Sequence, residues 1–356
     1  MGLPSINIAF TTAASSAILR SQKGVVGIIV KDTTANGEYS LTKKSDIPAT
    51  LSASNQAYIG SAFLGYASPP RKVLLYVLSA AAEDLSEALG FFKTVAAEVD
   101  YLVGPPDAAE AEAVEIADWV AEMRQDGYTP KAVLPHYAAN SEAIVNFTTD
   151  GIKVGPTTYT AAQYCARIAG LIAGTPMTIS CTYAPLPEVS DVARKTKQEL
   201  DAAIDNGEFV LFHDGAKVKV GRGVNSLVTI PPGKSDAFKK IKIVEALDMI
   251  QRDIRTTAED SYIGKYANSY DNKCLLITAI KAYLTSLEAA GILAEGTSDV
   301  QIDLEAQENY LISQGIDTSA MTEQEIKTAA TGDKVFLRAT ISVLDAIEDI
   351  SLTITI

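Results

Sequence analysis

A chain of 356 residues, 47% hydrophobic and 21% charged, has ordinary globular composition and the length of about two domains. Its 30 Lys and Arg against 44 Asp and Glu leave a formal charge of −14, which repels nucleic acid and anionic membrane surfaces and disfavours both as partners. Cys165, Cys181 and Cys274 are scattered and include no C-x-x-C, the usage of a reduced chain; no secretory leader is recognisable, and no run approaches the roughly 20 apolar residues of a membrane span.

In chain order, Ile6, Ile8 and Phe10 alternate with Ser5, Asn7 and Ala9, which predicts a half-buried strand, and Thr11–Ser16 reads as a small, polar linker. Apolar runs at Val25–Val30, Val73–Leu78, Tyr101–Val103 and Ala132–Leu134 predict strands covered on both faces. Helical spacing at Leu85, Leu89, Phe92 and Val95, and again at Val114, Ala117, Val120 and Ala121, separates the later ones. Alternation of this kind implies an α/β domain, a mostly parallel sheet with flanking helices. Helices are expected over Ala161–Ala173, stopped by Gly174-Thr175-Pro176, and over Asp191–Asp205; a hairpin is expected around His213-Asp214-Gly215. Pro231-Pro232-Gly233 marks a boundary. Beyond it the pattern is α+β: helices over Ser235–Ala258, Asn272–Ala290, Glu305–Ser313 and Thr322–Ala329, then two strands in which Val335, Leu337, Ile341 and Val343, and later Ile350, Leu352, Ile354 and Ile356, alternate with polar residues.

No constellation points to catalysis. Gly233-Lys234-Ser235 has the end of a phosphate-binding loop, but position 228 is Val228 instead of glycine, and Pro231 and Pro232 remove donors; a turn capped at Ser235 accounts for it. Asp32–Gly37 follows the first apolar strand, where a flavodoxin-like ligand-binding or redox domain would hold a phosphate. The polar, aperiodic Glu38–Pro48 gives no helix to feed, so a solvated loop is expected. His136 and His213 have no partner at ligand spacing, and no G-x-S-x-G is present; neither metal nor cofactor is expected, and the chain is not expected to be an enzyme.

Ile350–Ile356 is unusual for a chain end, since it holds no charge, glycine or proline. An uncovered apolar strand invites aggregation, so it either pairs within its own chain or adds to a sheet of a neighbouring copy. Burying four aliphatic side chains yields on the order of 6–12 kcal/mol. Ordering seven residues costs on the order of 7–14 kcal/mol, so donation needs sheet hydrogen bonds or a second arm such as Ile6–Phe10. Two arms reaching different neighbours make head-to-tail contacts, which generate rings or open helices.

Seven blocks carry a family resemblance: Gly2–Ile8, Asn146–Thr149, Arg167–Pro176, Arg222–Leu227, Tyr262–Lys265, Asn268–Leu276 and Val335–Ile356. Through them nearly the whole chain resembles the small contractile tail sheath proteins of Gram-positive phages and of phage-tail-like R-type bacteriocins. The resemblance implies an N-terminal linking arm (1–20), an outer α/β domain (21–232), an inner C-terminal domain facing a tail tube (233–344) and a C-terminal linking arm (345–356), with hinges at Thr11–Gln22 and Asp345–Asp349. It also implies that Ile6, Ile8, Phe10, Val335, Leu337, Ile341, Val343, Ile350, Leu352, Ile354 and Ile356 link subunits. The partners would be further copies in hexameric discs of a helical homo-polymer, a tail tube protein, and baseplate and tail-terminator proteins. Assembly would take place in the host cytoplasm and the product would be the tail of a virion or phage-tail-like particle. Basic residues cluster after the boundary, so Lys234, Lys239, Lys240, Lys242, Lys273 and Lys281 are candidates to face the tube through weak ion pairs, or else lie on solvated helix faces. The stretch Asp299–Ile326, with seven acids and no Lys or Arg, could oppose a basic patch on the next copy.

Overall fold

The computed structural model describes residues 24–355, which divide into two compact units, 24–248 with 345–355 and, separately, 249–344. The first is built on strands β1 (Val25–Asp32), β2 (Gly37–Leu41), β3 (Lys72–Ser79), β4 (Tyr101–Val103), β5 (Lys131–Pro135), β6 (Ile144–Phe147) and β9 (Glu208–Phe209) in the order β2-β3-β1-β4-β5-β6-β9. All neighbours run parallel except β2, which pairs antiparallel with β3 at one edge. Alternate residues of the apolar runs face opposite ways, so each side of the sheet has its own core. Val26, Ile28, Val30, Val73, Leu75 and Val77 pack with helices α1 (Ala53–Ala62) and α4 (Ala161–Ala173). Val25, Ile29, Leu74, Leu78 and Leu102 pack with α2 (Ser86–Thr94) and α3 (Glu110–Gln125), around Phe92 and Trp119. Double coverage is why these strands read as unbroken apolar runs. A hairpin β7 (Ile152–Val154) and β8 (Thr157–Tyr159), helix α5 (Lys197–Asp205), and the ribbon β10 (Leu211–His213) and β11 (Val218–Val220) complete this part, the last turning where expected.

The Arg167–Pro176 block has a steric reason. A Cβ at Gly170 would lie 2.0 Å from the Ala62 carbonyl oxygen, and one at Gly174 would lie 2.0 Å from that of Ser68. Helices α1 and α4 therefore approach backbone to backbone, and only hydrogen fits between them. Gly170→Ala is expected to cost about 1–3 kcal/mol, measured by urea unfolding, because backbone and not a flexible side chain must yield.

Three local expectations differ from what forms. Gly37–Leu41 is an edge strand and not loop: Tyr39 and Leu41 turn toward the core while Glu38 and Ser40 alternate outward, a pattern too short and polar to stand out. The helix expected from Asp191 starts at Lys197, after a capping box in which Thr196 accepts from the Glu199 amide and the Glu199 carboxylate from the Thr196 amide; Asp191 bridges Lys153 instead. Helix α6 (Ile241–Ser261) follows a short 3-10 turn at Asp236–Lys239 in place of one continuous helix from Ser235.

The second unit holds the later part of α6, α7 (Tyr270–Ala289), β12 (Asp299–Ile302), α8 (Leu304–Ser313), α9 (Glu323–Thr328) and β13 (Leu337–Thr340). Ser269 caps α7, and Leu284, Leu287, Ile292, Leu293 and Leu311 form its buried centre. The Lys273 ammonium is buried there, donating to Gln307 Oε1 at 3.2 Å and Thr331 Oγ1 at 3.0 Å, while Gln307 reaches the carbonyls of Ile326 and Lys327. One polar hub thus joins α7, α8, α9 and the segment after it.

Candidate assembly interface

Beyond Asp349, residues 350–355 join no strand, and their apolar members are uncovered: Ile350, Leu352 and Ile354 are 84%, 77% and 75% exposed. The strand expected here does not pair within this chain among the described residues. Ile6, Ile8, Phe10 and Ile356, and the Thr11–Gln22 hinge, lie outside the described residues. Uncovered aliphatic side chains on every second residue are the pattern a strand needs to fill one face of an incomplete sheet.

The unit 249–344 contains such a sheet. β12 and β13 pair antiparallel from Asp299 opposite Thr340 to Ile302 opposite Leu337, and among the described residues neither belongs to a larger sheet. The strand expected over Val335–Val343 is therefore shorter, with Val343 making only an isolated bridge to Leu293. Leu337, Ile341 and Val343 are half-buried and Val335 is 40% exposed. Val300 and Ile302 face the core from β12, while Asp299 and Gln301 face out. A two-stranded ribbon leaves an outer edge on each strand, the geometry that strand addition requires.

The six candidate lysines do not form one free cationic face. Lys234 binds Glu142, Lys239 lies 2.9 Å from Asp236, and Lys281 lies 3.0 Å from Asp299. Lys242 and Lys273 are buried, and burial lowers both ammonium pKa values; the exposed-face expectation is corrected for these two. Lys240 binds Asp345 and lies 3.1 Å from Glu348. Burial alone would lower the Lys240 pKa; hydrogen bonds to those two carboxylates more than reverse it.

Lys240 belongs to a cluster that the sequence did not reveal. Glu348, its side chain only 5% exposed, accepts from the Thr182 hydroxyl at 2.5 Å and the Ser180 hydroxyl at 3.2 Å, and Arg222 Nε lies 3.6 Å away. Arg222 Nη2 also pairs with Asp349 at 2.6 Å. The Asp345–Asp349 segment, expected as a hinge, is thus tied down at three of its five positions. The acidic run beside an apolar tail, together with Arg222 in its block, was the available signal.

The sheet order reverses between β1 and β4, the place where open α/β sheets bind ligands, and a cavity of about 550 Å³ lies there. Three of its polar side chains are engaged: Tyr58 donates to the Gly104 carbonyl at 2.8 Å, and Glu188 accepts from Tyr164 at 2.8 Å and from Arg167 at 2.6 Å. The Asp32–Gly37 turn holds an anion of its own. The buried Asp32 carboxylate accepts from the amides of Thr33 (2.8 Å) and Ser52 (2.9 Å) and from the Asn55 side chain (2.8 Å), at the start of α1, where a phosphate would sit. Bonding to the Ser52 amide, against the opposing effect of burial, holds the Asp32 pKa well below the usual carboxylate range. A depressed folded-state pKa adds stability above the unfolded value near 4, and this is lost as pH falls below it. Melting curves of wild type and Asp32→Asn are therefore expected to differ most near pH 7, by about 1–3 kcal/mol of stability, and to converge on acidification. Gly233-Lys234-Ser235 is likewise a turn, with Gly233 at φ +84° and the lysine bound to a carboxylate. His136 pairs with Asp150 at 2.8 Å, His213 accepts from the Gly215 amide, and no metal-binding group of His, Cys, Asp and Glu occurs among the described residues.

Comparison with known proteins agrees with the resemblance in the sequence. Residues 78–226 match the phage tail sheath protein central domain and residues 233–356 the phage tail sheath C-terminal domain. A tail sheath protein of Clostridium phage phiCD119 is 41% identical, over 99% of both chains. Among solved structures, the helical sheath of the anti-feeding prophage in its contracted state superposes with a TM-score of 0.69 at 17% identity, over 94% of this chain and 93% of that one. A sheath tail protein of Listeria innocua gives a TM-score of 0.69, also at 17% identity, over 85% and 94%. The chain belongs to the phage tail sheath protein family.

Proposed function

We propose that this chain is the non-catalytic repeating subunit of a contractile sleeve, assembled by strand exchange into six-fold discs stacked helically around a tail tube. The observation that carries this reading is the uncovered apolar segment at Ile350, Leu352 and Ile354, which lacks a partner within its own described chain. The two-stranded ribbon β12–β13 supplies edges of the right kind on another copy, so Val335, Leu337, Ile341 and Val343 would line the receiving sheet while Ile350, Leu352, Ile354 and Ile356 enter it. Ile6, Ile8 and Phe10 would add a second donated strand. The solved relatives include a contracted sheath and a baseplate, which supports contraction and a baseplate partner here. Residues 21–232 would form the outer domain and 233–344 the inner one, with 233–248 packed into the first compact unit, and the product would belong to a virion tail or phage-tail-like particle. Contraction would then be a rigid-body rotation of subunits joined through their arms. Purified protein expressed alone is expected to form tubes or stacked discs in negative-stain images; persistence as monomers at high concentration contradicts the reading.

A further inference from the structure

We infer that Glu348, gripped by Arg222, Lys240 and the Thr182 hydroxyl, is a positioning residue that fixes where the C-terminal arm leaves the protein, so that the arm pivots after Asp349 and not within Asp345–Asp349. This role presupposes the strand donation proposed above. Exposed ion pairs hold little, but this carboxylate is nearly buried and meets donors from three separate stretches of chain, so screening by salt and competition from water are both reduced.

The surroundings are built to keep the grip. Thr182 Oγ1 accepts from the Gly223 amide at 2.9 Å while its hydroxyl donates to Glu348. A Cβ at Gly223 would stand 2.9 Å from Cys181 Sγ, 3.2 Å from Ser180 Oγ and 3.4 Å from Thr182 Oγ1, crowding the two hydroxyls that hold the carboxylate. Arg222 and Gly223 are consecutive, which gives the Arg222–Leu227 block a use beyond packing. With Asp345–Asp349 already ordered in the single chain, strand donation has only the residues beyond it left to fix. Preorganisation of this kind favours association by lowering its entropic cost.

The test separates the grip from the donation. In the full chain carrying Ile350→Asp, Leu352→Asp and Ile354→Asp, digestion with a Glu-specific protease is followed by mass spectrometry of the released peptide 349–356. Arg222→Ala with Lys240→Ala, or Thr182→Val alone, is expected to speed release about 10-fold or more, the population change expected from losing a hydrogen bond to a charged group, with the melting temperature little changed. Arg222→Lys should retain part of the protection. Thr182→Val carries the test if the double variant does not fold. In the chain with its native arm, Glu348→Gln is expected to slow polymerisation by a similar factor. Equal release rates with and without the grip residues would overturn the inference, as would an unchanged polymerisation rate in Glu348→Gln. Polymerisation of the triple Asp variant would instead sink strand donation, leaving the release rates to decide the grip.

Discussion

Removal of Ile350–Ile356 is expected to leave a folded protein that no longer polymerises. The residues removed that fall within the described range, Ile350–Thr355, contribute almost nothing to either hydrophobic core, since Ile350, Leu352 and Ile354 are all at least 75% exposed. Their loss should therefore leave the melting temperature within a degree or two of wild type, as surface changes away from packed features usually do. Assembly is another matter. Each aliphatic side chain buried on a neighbour stabilises the contact by about 1.5–3 kcal/mol, and each donated strand adds backbone hydrogen bonds to an open edge. Without them, association should weaken by more than about 100-fold per contact, and sedimentation velocity should show a monomer where the intact chain sediments as polymer. Loss of the folded state on truncation would place the segment in its own core.

Asp248→Ala is expected to be the most damaging single change to stability, costing about 3–5 kcal/mol in urea unfolding. The Asp248 carboxylate is 4% exposed and takes both arms of Arg124, at 2.9 and 3.0 Å, and Lys131 at 3.0 Å. Lys131 is itself only 3% exposed, with Glu245 at 3.3 Å, and Glu245 accepts from the Tyr101 hydroxyl at 2.5 Å. Burial would raise the Asp248 pKa, and the two cations beside it hold it below its ordinary value. Deleting the acid leaves a buried ammonium short of one carboxylate and a guanidinium without its fork, which is why the cost exceeds that of an exposed pair. Asp248→Leu combined with Lys131→Met should cost less than the sum of the single changes, because the buried ammonium that Asp248→Leu alone leaves short of a carboxylate is gone, while Arg124 still lacks its fork.

What the sequence disclosed depended on how each element is buried. Strands β1, β3 and β5 are covered on both faces and read as apolar runs, and α4 carries its own start and stop, so these were legible. Helix α1 was not, since Ala53–Ala62 presents Ser, Asn and Gly where a surface helix would show a clear apolar stripe. Strands β2 and β12 are short and polar on one side, which leaves too few residues for alternation to be distinguished from loop. The apolar C-terminal arm was legible as a segment needing cover, but pattern alone left its partner open. The grip on Glu348 was hidden because its donors lie far away in sequence, and chain pattern carries no record of such pairing. For the same reason Lys240 and Lys273 looked like members of a basic face: composition counts charges, and only the fold shows that one is bound to Asp345 and Glu348 and the other enclosed by Gln307 and Thr331.

A high-resolution reconstruction of the assembled sleeve bears on strand exchange most directly. Residues 350–355 are expected to run as a strand hydrogen-bonded to the edge of β12 or β13 in an adjacent copy, with Ile350, Leu352 and Ile354 covered. Finding the same residues folded against their own chain in the assembled particle would contradict it.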